Sequence, residues 1–313
     1  MSRRGLLVIG DVVTDVVAMH GASVMPGPGA PSDISAEIVL RPGGSGANTA
    51  AWAAHLGAAA SLLARCGYDS SEWHIAELTK TGVRPHVRVD RDNPTAVVIS
   101  MVDSTGERSM LTNRGAGELI SPLDWEDALL DGVGHLHVSG YTLFSEPGMA
   151  LARLAMTRAT SAGISISVDP ASTGPLAEFG VTRFLGETAL AGLVFPNRDE
   201  ALLLTGAATP ERAAGMLSER YGTAVVKLGA QGGLVAVRGQ VVARARAVPA
   251  EVVDSTGAGD AFAAGYLAAA LSGADETEAL ESGCRAGAEC VALVGGRPRY
   301  GLDMKRLYPI HTD

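Results

Sequence analysis

Apolar residues in this chain fall in short unbroken runs separated by longer stretches with helical spacing. GLLVIG (5–10), ASLLAR (60–65), GHLHVSG (134–140), ISISVD (164–169), GLVFPN (192–197) and TAVVKLG (223–229) are such runs. Each is too short for a buried helix and too apolar for a strand with one wet face, so each reads as a strand covered on both sides. Between them lie helices. GANTAAWAAHLG (46–57) ends at Gly57, and DSSEWHIAELTKTG (69–82) carries Asp69 as N-cap, Glu72 three residues on and Gly82 as the stop. Ser121 and Thr209 stand before Pro122 and Pro210, which marks two further first turns. Strands alternating with helices predict the α/β class: a mostly parallel central sheet flanked by helices, with ligands bound beyond the carboxyl ends of the strands.

Two regions lack helices. Within 12–42 lie DVVTDVVAM, a Pro/Gly-rich loop and AEIVLRP; within 93–115 lie TAVVISMV, the turn DSTG and ERSMLT, which together read as a hairpin. Such strands fit poorly inside a parallel sheet, so they are expected to form a small β-sheet lid over one end of a single domain spanning 1–313. Exposed edges of a lid sheet can pair, which leaves a homodimer through the lid open.

Composition narrows the class. The formal charge is −9 and there are only three lysines, Lys80, Lys227 and Lys305, so no clustered basic face for nucleic acid is expected. Backbone amides can still bind a phosphate. Cys66, Cys284 and Cys290 show no CxxC spacing, which argues against a disulfide framework or a thiolate zinc site and for a reducing, cytoplasmic location. The N-terminal apolar run is cut by Asp11, and the least charged long run contains Asn48, Thr49 and His55; neither a signal peptide nor a membrane span is expected.

The residues that carry chemistry cluster at DSTGAGDAFAAGYLAAAL (254–271). Gly257, Ala258 and Gly259 leave amides bare at the mouth of a helix, which suits an anion. Asp260 stands beside them, where a carboxylate can take a proton from an attacking hydroxyl. An anion hole next to a base is the arrangement phosphoryl transfer to an alcohol needs. Other motifs fail. None of the three lysines completes a P-loop, there is no HExxH, and GGSGA misses the hydrolase elbow GxSxG because its fifth residue is Ala47, which leaves Ser45 a poor nucleophile. His135 and His137 share one face of a strand with no third ligand in view and read as structural. Arg108 and Arg114 flank the hairpin, where they could face a substrate; solvated charges are the reading put first.

DSTGAGDAFAAGYLAA and PGGSGANTAAWAAHLG together resemble the two signatures of the PfkB, or ribokinase-like, carbohydrate kinases; PNRDE and KLGAQG extend the likeness over nearly the whole chain. The resemblance implies a ribokinase-like fold and ATP-dependent transfer of a phosphoryl group to a hydroxyl of a small sugar, with Mg²⁺. A nucleoside acceptor, or a non-catalytic sugar-binding regulator, are the alternatives. It implies Asp260 as base and Gly257, Ala258 and Gly259 as anion hole. Asp15, Gly43, Gly44 and Asn48 match the substrate side; Asn197, Lys227, Gly229, Gly232 and Gly287 match the ATP side. Glu200 matches a residue that acts on Mg²⁺ through water, and Asp254 one tied to a monovalent-cation loop, with K⁺ as the candidate ion. Family members acting on ribose or phosphosugars often carry Lys where this chain has Ser45, which favours a free sugar as acceptor.

Overall fold

The computed structural model describes residues 4–19, 36–102 and 108–299. The segment 20–35, the turn DSTG (103–106) and Lys305 lie outside them. Thirteen strands occur among the described residues: β1 Gly5–Ile9, β2 Val13–Met19, β3 Glu37–Gly43, β4 Ala59–Gly67, β5 Arg84–Asp90, β6 Ala96–Val102, β7 Arg108–Asn113, β8 Val133–Ser139, β9 Ser165–Asp169, β10 Leu193–Val194, β11 Thr223–Lys227, β12 Gly233–Val237 and β13 Gln240–Ala245. The helices are α1 Ser45–His55, α2 Ser71–Lys80, α3 Gly140–Leu143, α4 Glu146–Ser161, α5 Thr173–Phe179, α6 Val181–Glu187, α7 Arg198–Thr205, α8 Pro210–Tyr221, α9 Ala258–Leu271 and α10 Glu276–Val291.

Nine strands form one sheet in the order β13-β12-β11-β10-β9-β8-β1-β4-β5. All pairings are parallel except β11–β12 and β12–β13, which close one edge antiparallel. The all-apolar runs serve two cores at once because successive side chains point to opposite faces. Leu7 and Ile9 of β1 join one buried cluster, with Leu136, Val168 and the α4 residues Leu151 and Ala155. Leu6 and Val8 join the other, with Trp52 of α1 and Phe262 and Leu267 of α9. Helices α9 and α10 pack closely: a Cβ on Gly265 would sit 2.7 Å from the Ser282 carbonyl oxygen.

The four remaining strands form the expected separate small sheet, ordered β3-β2-β6-β7. Its register puts Asp15 opposite Arg41 and Val98, and Val16 opposite Leu40 and Ile99. One face therefore carries Asp15 and the other a run of apolar residues.

Two local readings change. β5, with its two arginines, is a strand that the apolar pattern did not indicate. Ser70, not Asp69, precedes α2. Asp69 instead accepts hydrogen bonds from the Thr95 amide and hydroxyl, both at 2.8 Å, and so anchors the entry to β6.

Candidate active site

The carboxyl ends of β1, β8, β9, β10 and β11 open into a cavity of about 730 Å³, roofed by residues of the small sheet including Asp15, Val98 and Thr112. A volume of this order suits a small-molecule ligand. Asp11, Tyr141, Asp169, Asn197 and Lys227, each at or just past the end of a strand, line it together with Asp260.

Asp260 sits in the first turn of α9. Its two oxygens are held by another helix: Ser45 Oγ donates to Oδ1 at 2.8 Å and Asn48 Nδ2 to Oδ2 at 3.0 Å. Burial nevertheless raises its pKa to about 7, because withdrawal from water outweighs these donors and the nearby Lys227 charge. Gly257 precedes α9 with φ +74°, a left-handed conformation that glycine adopts without strain. The amides of Gly257 and Gly259 make no hydrogen bond among the described residues, whereas the Ala258 amide donates to the Ser255 carbonyl at 3.3 Å. The expected three-amide hole is thus reduced to two open members. Asp254 shapes the loop before it, accepting from the Thr256 and Gly295 amides, each at 2.9 Å.

The last residue of α10 and the segment after it stitch this region together. The Val291 carbonyl accepts from the Val253 and Asp254 amides, the Gly296 carbonyl from Trp52 Nε1 at 2.9 Å, and the Gly43 carbonyl from Arg297 at 2.9 Å.

Beside the start of α1, Asp15 lies against Gly43, where a Cβ would come within 2.1 Å of its carboxylate oxygen; only glycine leaves room. Burial and the neighbouring Asp11 charge raise Asp15 to about 7. Gly44, with φ +99°, precedes α1. Asp11 accepts from the Ser45 and Gly46 amides at 3.2 and 3.0 Å, and burial raises its pKa. Arg114 also reaches the cavity, its guanidinium 5.8 Å from the ring centroids of both Tyr141 and Phe144, rather than pointing into solvent.

On the other side, Asn197 and Glu200 close a reciprocal cap on α7. Asn197 Oδ1 accepts from the Glu200 amide at 2.9 Å and Glu200 accepts from the Asn197 amide at 2.8 Å. Burial raises Glu200 to about 7. Lys227 Nζ bonds Asp169 at 2.5 Å and lies 3.4 Å from where a Gly259 Cβ would be, beside the start of α9. Burial alone would depress Lys227, but the Asp169 and Glu200 charges outweigh it and hold the ammonium above its ordinary range. Gly229 lines the cavity; Gly232 and Gly287 do not. Gly232 makes the tight turn into β12, and Gly287 packs α10 against Ala258 and Phe262.

Asp11, Tyr141 and Asp169 are among the lining residues to which the sequence reading gave no part in the site. Asp169, closing the run ISISVD, carried a usable signal: it is a charge at a strand's carboxyl end. His135 and His137 are structural, as read. They bond the Ser165 and Ser167 hydroxyls at 2.7–2.8 Å, and burial pushes both down to about 3. Among the described residues no cluster of three or more metal-ligating side chains occurs, and no helix is long and apolar enough to cross a membrane.

The family model described as pfkB family carbohydrate kinase matches residues 3–299. The ATP-dependent ribose-1-phosphate kinase of Halopiger xanaduensis is 32% identical over 259 residues, 82% of this chain and 80% of that protein. Among solved structures, adenosine kinase from Sinorhizobium meliloti superposes with a TM-score of 0.83 at 27% identity, covering 95% of this chain and 96% of that one. Ribokinase from Arabidopsis thaliana, solved with ribose and ATP, gives 0.76 at 25%, covering 94% of each. The fold is ribokinase-like, with the expected large sheet and the separate small one.

Proposed function

The chain belongs to the pfkB family of carbohydrate kinases, and on that premise we propose that Asp260 takes the proton of a sugar hydroxyl while the Gly257 and Gly259 amides receive the γ-phosphoryl group of ATP. The observation that supports this most is the pairing of one cavity-facing carboxylate with amides left open at the start of the same helix. Lys227 beside the start of α9 adds positive charge where charge develops in transfer. Mg²⁺ would offset charge on the β- and γ-oxygens, with Asn197 and Glu200 holding its waters; a hard cation that keeps most of its hydration suits a pair already committed to capping α7. A monovalent ion, K⁺ first, belongs to the loop that Asp254 ties, where it would order the hole.

Asp15 and Asp11 would accept from hydroxyls of the acceptor, and closure of the small sheet as a lid would exclude water as a competing acceptor. The ribose-1-phosphate, adenosine and ribose partners of the similar proteins share a sugar hydroxyl. A free sugar is the acceptor we put first, with a nucleoside second. ADP formation from ATP and Mg²⁺ across sugars, sugar acids, sugar phosphates and nucleosides tests the reading, with Asp260→Asn as its control. We expect acceptor-dependent ADP and a loss of about 10²–10⁴ in kcat for the variant with ATP binding kept. A variant at wild-type rate would remove Asp260 as base. Silence with every acceptor, alongside sugar-induced thermal shifts, would leave a sugar-binding regulator.

The outer face of the small sheet bears on assembly. Ile38, Leu40, Ile99 and Leu111 are 63, 61, 36 and 58% exposed and share one face through the Val16–Leu40, Val16–Ile99 and Ile99–Leu111 pairings. A contiguous apolar face of this kind is rarely left wet. A second copy of the chain is the occupant in this reading, and light scattering on Leu40→Glu, expected to be monomeric, tests it. The three buried free cysteines suit a reducing cytoplasm.

A further inference from the structure

Asp260 is held by two side chains that differ in what they can do. Ser45 and Asn48 stand three residues apart on the first turn of α1, hence on one face, and each donates to a different oxygen of the carboxylate. Asn48 is 3% exposed and pinned: a Cβ on Gly296 would lie 2.4 Å from its Nδ2. Its amide nitrogen can only donate. That serves a carboxyl oxygen without a proton, but it cannot receive the proton that the acid form has to place. Ser45 is partly exposed, lines the cavity and carries a hydroxyl that donates or accepts according to its rotation. Its backbone is fixed independently, through its amide bond to Asp11.

We infer that Ser45 is a positioning residue for the base, the partner that keeps Asp260 aimed at the acceptor both before and after proton transfer. The inference rests on the kinase reading. In the step concerned, the acceptor oxygen forms a bond to the γ-phosphorus as the bond from that phosphorus to the β,γ-bridging oxygen breaks. The electron pair leaves with ADP. The acceptor proton passes to Asp260, whose new O–H then donates to Ser45 Oγ. The Ser45 hydrogen swings toward the cavity, and the proton is released there to water. The sum is alcohol plus ATP giving phosphate ester, ADP and one proton.

The other groups that face Asp260 are Lys227 from β11, Asp169 from β9, Tyr141 from α3 and Cys290 from α10. Lys227 is spoken for by Asp169, burial keeps Tyr141 and Cys290 protonated, both at about 12, and none of the four bonds the base among the described residues. Ser45 and Asn48 both pull the proton affinity of Asp260 down against burial.

The test is the pH profile of kcat/KM for wild type, Ser45→Ala and Ser45→Thr with one acceptor. Losing the donor should move the acidic limb of Ser45→Ala up by about one pH unit. The loss is then about tenfold at pH 6 and small above pH 8.5, with the ATP KM and the thermal midpoint unchanged. Ser45→Thr, which restores a hydroxyl, should return the limb toward wild type. A Ser45→Ala profile that superimposes on wild type overturns the inference, as does a loss equal at every pH that threonine fails to rescue. Failure of the kinase reading would look different: wild type itself would give no acceptor-dependent ADP at any pH.

Discussion

Two glycine-flanked helix starts converge on Asp260, and they are finished in opposite ways. The start of α1 is closed, its Ser45 and Gly46 amides taken by the Asp11 carboxylate. The start of α9 is open, its Gly257 and Gly259 amides without a partner among the described residues. Both ends offer donors and a favourable dipole, so each is an anion site in principle. The difference shows that a helix start becomes a ligand site by what the protein withholds. At α1 an internal anion has been supplied, and the helix is left to aim Ser45 and Asn48 at Asp260. At α9 no carboxylate takes the Gly257 and Gly259 amides among the described residues, and both glycines line the cavity.

The comparison can be broken from either side. The largest effect is expected from Gly257→Ala, which spoils the open end: an alanine would have to hold φ +74° with its Cβ 2.5 Å from the Gly296 Cα. Turnover should fall by about 10²–10³, as for loss of one transition-state donor. Near-wild-type kcat in steady-state assays would erase the distinction between the two ends. Asp11→Ala opens the closed end and should reduce stability by about 1–2 kcal/mol in urea unfolding, with Asp11→Asn recovering most of it because asparagine also caps. Equal stability of the alanine variant would mean that Asp11 does not close α1. The smallest effect concerns a region with neither role. His135 and His137 are pushed by burial to about 3, against about 6.5 in an unfolded chain. The unfolded state then binds protons that the folded one refuses. Their contribution to stability is complete above pH 6.5 and is lost as pH falls toward 3. His137→Gln should flatten the decline of the thermal midpoint in that window and leave turnover at neutral pH unchanged.

What the sequence disclosed follows the range of the forces involved. Strands such as GLLVIG and the glycines bounding α1 and α9 are local, and periodicity and backbone preference reveal them. The separate small sheet was readable because two stretches lacked a helix where the alternation called for one. Contacts across the chain were not. Asp69 has every local credential of a helix cap, yet a neighbour 26 residues away, Thr95, claims its carboxylate. Ser45 and Asn48 meet Asp260 across 215 and 212 residues, and nothing in their spacing announces it. Asp11 broke an apolar run, which obscured that it would satisfy a helix 34 residues later. Arg114 reads as a solvated charge from the sequence because the two aromatic rings beneath it, Tyr141 and Phe144, stand 27 and 30 residues further along the chain.

The stretch from Val291 to Arg297 touches both helix starts, holding the loop before α9 at one end and Trp52 and Gly43 of the α1 region at the other. It is translated after both. A nascent chain on the ribosome can therefore possess both helices, and Asp260 itself, without the two being brought into register. The two helix starts are expected to be fixed against one another only once Arg297 has emerged.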